Sequence, residues 1–96
     1  MYKLRIPDYL TEFIRDLHPE LKRKIKESLK LIMAEPNSGK PLKGELEVLR
    51  SIRVRRLRII YRLIGSREIQ ILAIGPRTSI YEETYRLIKK ESKEIG

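Results

Sequence analysis

Cysteine and tryptophan are missing from this chain of 96 residues, which has one histidine and one phenylalanine. Without cysteine there are no disulfides, no thiolate nucleophile and no zinc–thiolate site, a composition that suits a reducing cytosol. The lone histidine, His18, excludes any mechanism that needs a histidine pair, and its place before Pro19 reads as a cap or surface position. Aromatic side chains are too few for a conventional base-stacking platform. No apolar run approaches the roughly 18 to 20 residues needed to cross a bilayer. The first residues also lack the apolar core of a signal peptide, so we expect a cytoplasmic protein with no membrane partner. The carboxylates are scattered over helical segments and imply no metal, and no cofactor motif is present.

One further absence is local. Between Glu47 and Glu68 there is no acidic residue, while seven arginines (Arg50, Arg53, Arg55, Arg56, Arg58, Arg62 and Arg67) fall in the same run. The whole chain has a net charge of +9, so most of the excess sits on this stretch. Ile52 and Val54 alternate with Arg53 and Arg55, and Leu57, Ile59, Tyr61 and Leu63 alternate with Arg58 and Arg62, the period of strands. Successive strand side chains point to opposite faces, so one face should be apolar and the other should carry a row of guanidinium groups. Arginine offers planar, forked donors matched to phosphate, which points to nucleic acid as the partner. A solvated face kept soluble by charge is the plainer alternative.

The length fits one domain, residues 1–96. Tyr2 to Ile6 alternates and should form a strand, stopped by Pro7. Asp8 can cap a short helix whose Leu10, Phe13, Ile14 and Leu17 share one side. Pro19 suits the first turn of a second helix to about Ala34, with Leu21, Ile25, Leu29 and Ile32 buried and Lys22, Arg23, Lys26 and Lys30 outside. Residues 35–44 read as a loop. Its Gly39-Lys40 is no phosphate-binding P-loop, because Ala34 stands where the first glycine is required and a helix, not a strand, precedes it.

Three strands should follow, over about 49–55, 57–64 and 68–75. Gly65-Ser66 is a hairpin turn, whereas Arg55-Arg56 lacks a glycine and suggests a longer or bulged connection. Ser79-Ile80-Tyr81-Glu82 reads as a capping box that starts a last helix running toward Ile95. The order implies an α+β fold, a mostly antiparallel sheet with its helices on one side and an open charged face on the other.

The run Pro41-Leu42-Lys43-Gly44, then Leu49, Ile52-Arg53-Val54, Leu57-Arg58-Ile59-Ile60-Tyr61, and Ile74-Gly75-Pro76-Arg77 with Tyr81 four residues on, resembles the RelE/ParE superfamily of toxins. The resemblance implies a RelE-like fold: an N-terminal strand, a helix hairpin, a three-stranded antiparallel sheet continuing the first strand, and a C-terminal helix. RelE-type members cleave mRNA in the ribosomal A site; ParE-type members share the fold and poison DNA gyrase. Carried over by position, Arg58 would stabilise the scissile phosphate, Arg77 would assist the leaving group and Tyr81 would lie near the reacting 2′-hydroxyl. Arg53 stands where RelE proteins often have lysine, Ser51 at a second such position, and Pro76 where a histidine is frequent. The expected catalytic set is therefore Arg53, Arg58, Arg77 and Tyr81. Lys40, Lys43, Arg50, Ser51, Arg55 and Arg62 would grip the RNA. The partners implied are a RelB-like antitoxin, the ribosome and mRNA, with DNA reached only through an antitoxin complex.

The residues themselves allow this chemistry. RNA carries its own nucleophile, the 2′-hydroxyl, so cleavage needs alignment, a proton acceptor, stabilised phosphoryl charge and help for the departing 5′-oxygen. Arginine does not lose its proton in proteins, so Arg53 is no base, which leaves Tyr81, Lys43 or a water. A gyrase-binding toxin and a plain basic RNA-binding domain are the alternatives.

Overall fold

The computed structural model describes residues 2–44 and 48–95, with the side chains at 77, 78 and 92–95 outside the description. Strand β1 (Lys3–Arg5) leads into helices α1 (Asp8–Arg15) and α2 (Pro19–Ala34). A 3-10 turn at Pro36–Ser38 follows, and then strands β2 (Lys40–Pro41), β3 (Arg50–Val54), β4 (Leu57–Ile64) and β5 (Glu68–Pro76). Helix α3 (Arg77–Ile95) closes the chain. The sheet order is β1-β5-β4-β3-β2, with β1 parallel to β5 and the other pairs antiparallel. The two-residue β2 lies inside the segment expected to be loop. It forms because Lys40 and Pro41 come opposite Ser51 and Arg50 on the sheet edge, where a proline does least harm.

The helix starts follow their local chemistry, with two corrections. His18 is the N-cap of α2, its Nδ1 accepting the Glu20 N–H at 3.3 Å, with Pro19 in the first turn. Asp8, by contrast, lies one residue inside α1, where Pro7 is the N-cap and makes no side-chain bond; its carboxylate favours the positive end of the helix dipole instead. Helix α3 begins at Arg77, so Ser79 falls inside its first turn and the expected capping box is not at the boundary.

Both sheet faces are covered, which revises the expectation of one open face. Leu10 and Ile14 of α1 and Ile25, Leu29 and Ile32 of α2 pack on Val54, Leu57, Ile59, Tyr61, Ile69, Ile71 and Ile74. Phe13, placed on this stripe by its spacing, is exposed. On the other face α3 seats Ile80, Tyr81 and Ile88 on Leu49, Ile60, Leu72 and Ala73. A register shift between Ile60 and Tyr61 places Ile60 opposite Ala73 and Tyr61 opposite Ile71, so Leu72 is the extra residue on β5. Leu72 and Ala73 then both face α3, and the apolar patch they make with Ile60 interrupts the expected arginine row.

The β3–β4 connection is tight after all. Val54 pairs with Leu57, and Arg55 takes the positive φ of 57° that glycine usually supplies. Two bonds hold the turn there: the Arg55 guanidinium meets Glu20 of α2 at 2.7 Å, and its carbonyl accepts the Arg53 Nε–H at 3.0 Å. A left-handed arginine costs about 1–2 kcal/mol, whereas a surface ion pair returns about 0–1 kcal/mol. Arg55→Gly should therefore leave stability within about 1 kcal/mol of the parent, while Arg55→Ala, which keeps the strain and loses the pair, should be about 1 kcal/mol less stable than the glycine variant. Urea unfolding of the three proteins checks this order, and an alanine variant as stable as the glycine one would refute it.

Candidate nucleic-acid interface

Arg53 and Arg58 are direct cross-strand partners, with Gly75 opposite Arg58 on β5. Directly opposed residues point to the same face, so these two guanidinium groups rise side by side from the α3 side of the sheet. Arg53 is anchored through its Nε to the Arg55 carbonyl, and its terminal nitrogens have no partner among the described residues. Arg58 is half-buried and has no carboxylate partner among the described residues. Together with Arg55 and Arg56 the pair lines a hollow of about 90 Å³. Arg56, which the strand pattern did not single out, is there because the tight turn brings it round beside Arg58.

The backbone of α3 starts at Arg77, two residues beyond Gly75, so the first turn of this helix borders the same end of the sheet as Arg58. The Arg77 side chain lies outside the described residues. Tyr81 comes one helical turn later and is partly buried against the Ile60 and Ile80 cluster. Lys40, opposite Ser51, is exposed at the outer edge of the face that carries Arg53 and Arg58, and Lys43 is exposed beyond it.

Four residues expected to grip RNA are placed differently. Arg50 pairs with Tyr61 and points to the opposite face, where it donates to the Gly39 carbonyl at 2.7 Å and the Asn37 carbonyl at 3.4 Å. Arg62 is held between Gln70 at 2.8 Å and Glu91 of α3 at 3.1 Å. Arg55 is engaged by Glu20. Ser51 is 4% exposed beside Ile60. The count of seven uncompensated arginines missed these partners because Glu20 and Glu91 lie far away in sequence and reach the run only through folding. Tyr61 is buried, as its place on the apolar face of the strand indicated. Its hydroxyl donates to the Pro36 carbonyl at 2.6 Å and accepts the Gly39 N–H at 2.9 Å.

Among the described residues no three His, Asp or Glu side chains form a group that could hold a metal, and no described helix is long and apolar enough to cross a membrane. The interface as placed is a small cationic hollow at one end of a sheet face, bounded by the start of a helix, with Lys40 at the outer edge of the same face. Such a hollow fits a phosphate group better than an extended duplex.

A family model described as the ParE toxin of type II toxin–antitoxin systems matches residues 3–81, and the chain belongs to that family, within the RelE/ParE toxins. The fold is shared with solved toxins. The RelBE2 toxin–antitoxin complex of Mycobacterium tuberculosis aligns at 26% identity and a TM-score of 0.66, covering 79% of this chain and 98% of that one. The isolated E. coli RelE toxin aligns at 20% identity and a TM-score of 0.68, covering 92% and 99%. The toxin fold of the archaeal RelE–RelB complex from Pyrococcus horikoshii OT3 is similar at 23% identity and a TM-score of 0.65, over 79% of this chain and 94% of that one. A search of curated protein sequences returned no match.

Proposed function

We propose that the chain is a toxin that cuts mRNA on the ribosome by promoting attack of a ribose 2′-oxygen on the neighbouring phosphorus. The observation that carries this reading is the opposed pair Arg53 and Arg58, neither of which is neutralised by a carboxylate among the described residues. In the step envisaged, the O2′–P bond forms as the P–O5′ bond breaks, giving a 2′,3′-cyclic phosphate and a 5′-hydroxyl. The O2′ proton passes to a base, and the departing O5′ takes up a proton. Fixed guanidinium groups meet the charge that grows on the non-bridging oxygens, in the manner of an oxyanion hole. Arg77 is assigned to the leaving oxygen and Tyr81 to orienting the 2′-hydroxyl. Lys40 and Lys43 would hold flanking phosphates. An acidic antitoxin of the RelB kind, the type of partner present in the mycobacterial and archaeal complexes, would cover this cationic face.

A second reading is favoured by the family match itself, which falls on the ParE branch, and by the burial of Ser51 where a basic residue would strengthen an RNA site. In it the same face docks on gyrase without chemistry. Purified protein incubated with mRNA alone, with mRNA on programmed ribosomes, and with gyrase and supercoiled DNA separates the two. Ribosome-dependent cuts ending in a cyclic phosphate are expected. Intact mRNA together with blocked supercoiling would replace the first reading by the second.

A further inference from the structure

Next to the arginine hollow, and sharing Arg55, Arg56 and Leu57 with it, lies a larger depression of about 510 Å³. Its floor is apolar, made by Leu21, Leu57 and Pro76, and its walls include His18, Glu20 and Arg56. We propose that this depression receives one unpaired nucleobase of the RNA strand whose phosphate lies between Arg53 and Arg58. The inference rests on reading that pair as an RNA site, and it assigns base recognition to the α1–α2 junction, on the far side of the β3–β4 turn from α3.

The two cavities differ in the way that a nucleotide requires. The arginine hollow of about 90 Å³ is cationic and has room for little more than a phosphate group, whereas the larger one has a mostly apolar lining with a few polar groups at its edges. Arg56 is exposed and without a partner among the described residues, so its guanidinium plane is free to stack on a base. His18 is held by its own cap: Nδ1 accepts the Glu20 N–H, which leaves Nε2 as the protonated nitrogen, a donor for a ring nitrogen or carbonyl. Glu20 uses Oε1 for Arg55 at 2.7 Å, and Oε2 has no partner among the described residues. That oxygen accepts an exocyclic amine, which adenine, guanine and cytosine carry and uracil lacks. The ion pair with the strained Arg55 therefore also fixes the carboxylate that would read the base.

The test uses uncleavable 2′-O-methyl tetranucleotides, each with one position made abasic or changed through the four bases. Binding is measured by fluorescence anisotropy to the parent protein, His18→Asn and Glu20→Gln. Asparagine keeps the N-cap of α2 while removing the ring, so folding is preserved. One abasic position should weaken binding to the parent about tenfold, through the loss of stacking on Arg56, and to His18→Asn less, because the imidazole N–H that reads the base is already gone. Uracil at that position should bind worst, and this preference should vanish in Glu20→Gln. Abasic losses equal at every position, or unchanged in both variants, overturn the inference. So does failure of the parent to bind any of the oligonucleotides. Unmodified mRNA on programmed ribosomes is run in parallel: base-dependent binding without cuts removes the cleavage reading and keeps the base site, while cuts with base-independent binding remove only the base site.

Discussion

Arg58→Ala should lower the single-turnover rate of ribosome-dependent cleavage by about 10²- to 10³-fold, the usual effect of deleting one preorganised donor aimed at transition-state charge. The melting temperature should hardly move, because Arg58 has no hydrogen bond or ion pair among the described residues and its neighbours across the sheet are Arg53 and Gly75. Removing it even relieves some repulsion between like charges. Arg58→Lys keeps the charge but loses the fork, so its rate should fall between the two. Arg62→Ala supplies the contrast. That side chain ties β4 to Gln70 and Glu91, so its loss should weaken the docking of α3 and appear first as lowered stability. If Arg58→Ala cleaves at the parental rate, the guanidinium pair is not the catalytic centre. If it retains full gyrase inhibition as well, the face has been misassigned under both readings.

These two arginines also show how far the sequence carried. Both sit at alternate strand positions with the same charge, and the pattern treated them alike. Local periodicity located β3, β4 and β5 and the apolar face with Leu57, Ile59 and Tyr61, because a two-residue period is written in neighbouring residues. What decided their different fates was tertiary. Glu91 reaches Arg62 from 29 positions away, and Glu20 reaches Arg55 from 35. Ile60, between Arg58 and Arg62 on the charged face, was the local hint that this face had to be covered, and the register shift at Leu72 completes the patch on which α3 sits. The tight turn at Arg55-Arg56 defied the glycine rule for the same reason: contacts from α2 and from Arg53 offset a local penalty that sequence alone presents as prohibitive. Departures of this kind cluster where a site is being assembled, since a strained residue persists only when its surroundings over-determine it.

Gly39→Ala should be among the most destabilising single-methyl additions in the molecule, at about 2–3 kcal/mol, within the range for overpacking a close-packed site. The reason is room, not backbone freedom, for Gly39 has an ordinary φ of −78°. A Cβ there would stand 2.6 Å from the Tyr61 hydroxyl, 2.9 Å from its ring Cε1 and 3.0 Å from the Ser51 carbonyl oxygen. The last is strand backbone, and the tyrosine is only 1% exposed, pinned at its tip by Pro36 and Gly39. Neither can yield without breaking bonds that are otherwise satisfied. Tyr61→Phe removes the nearest obstacle but leaves the Gly39 N–H and the Pro36 carbonyl unpaired, which by itself costs about 1–3 kcal/mol. In the phenylalanine background, however, Gly39→Ala should cost at least about 1 kcal/mol less than in the parent, because part of the clash has gone. Strict additivity of the two changes would show that the hydroxyl does not set the limit. Because Gly39 feeds directly into β2, where Lys40 lies opposite Ser51, the same substitution should also displace that lysine from the border of the arginine face. Weaker binding of single-stranded RNA at a temperature where the variant is still folded would separate this displacement from unfolding, and unchanged affinity there would leave Lys40 outside the interface.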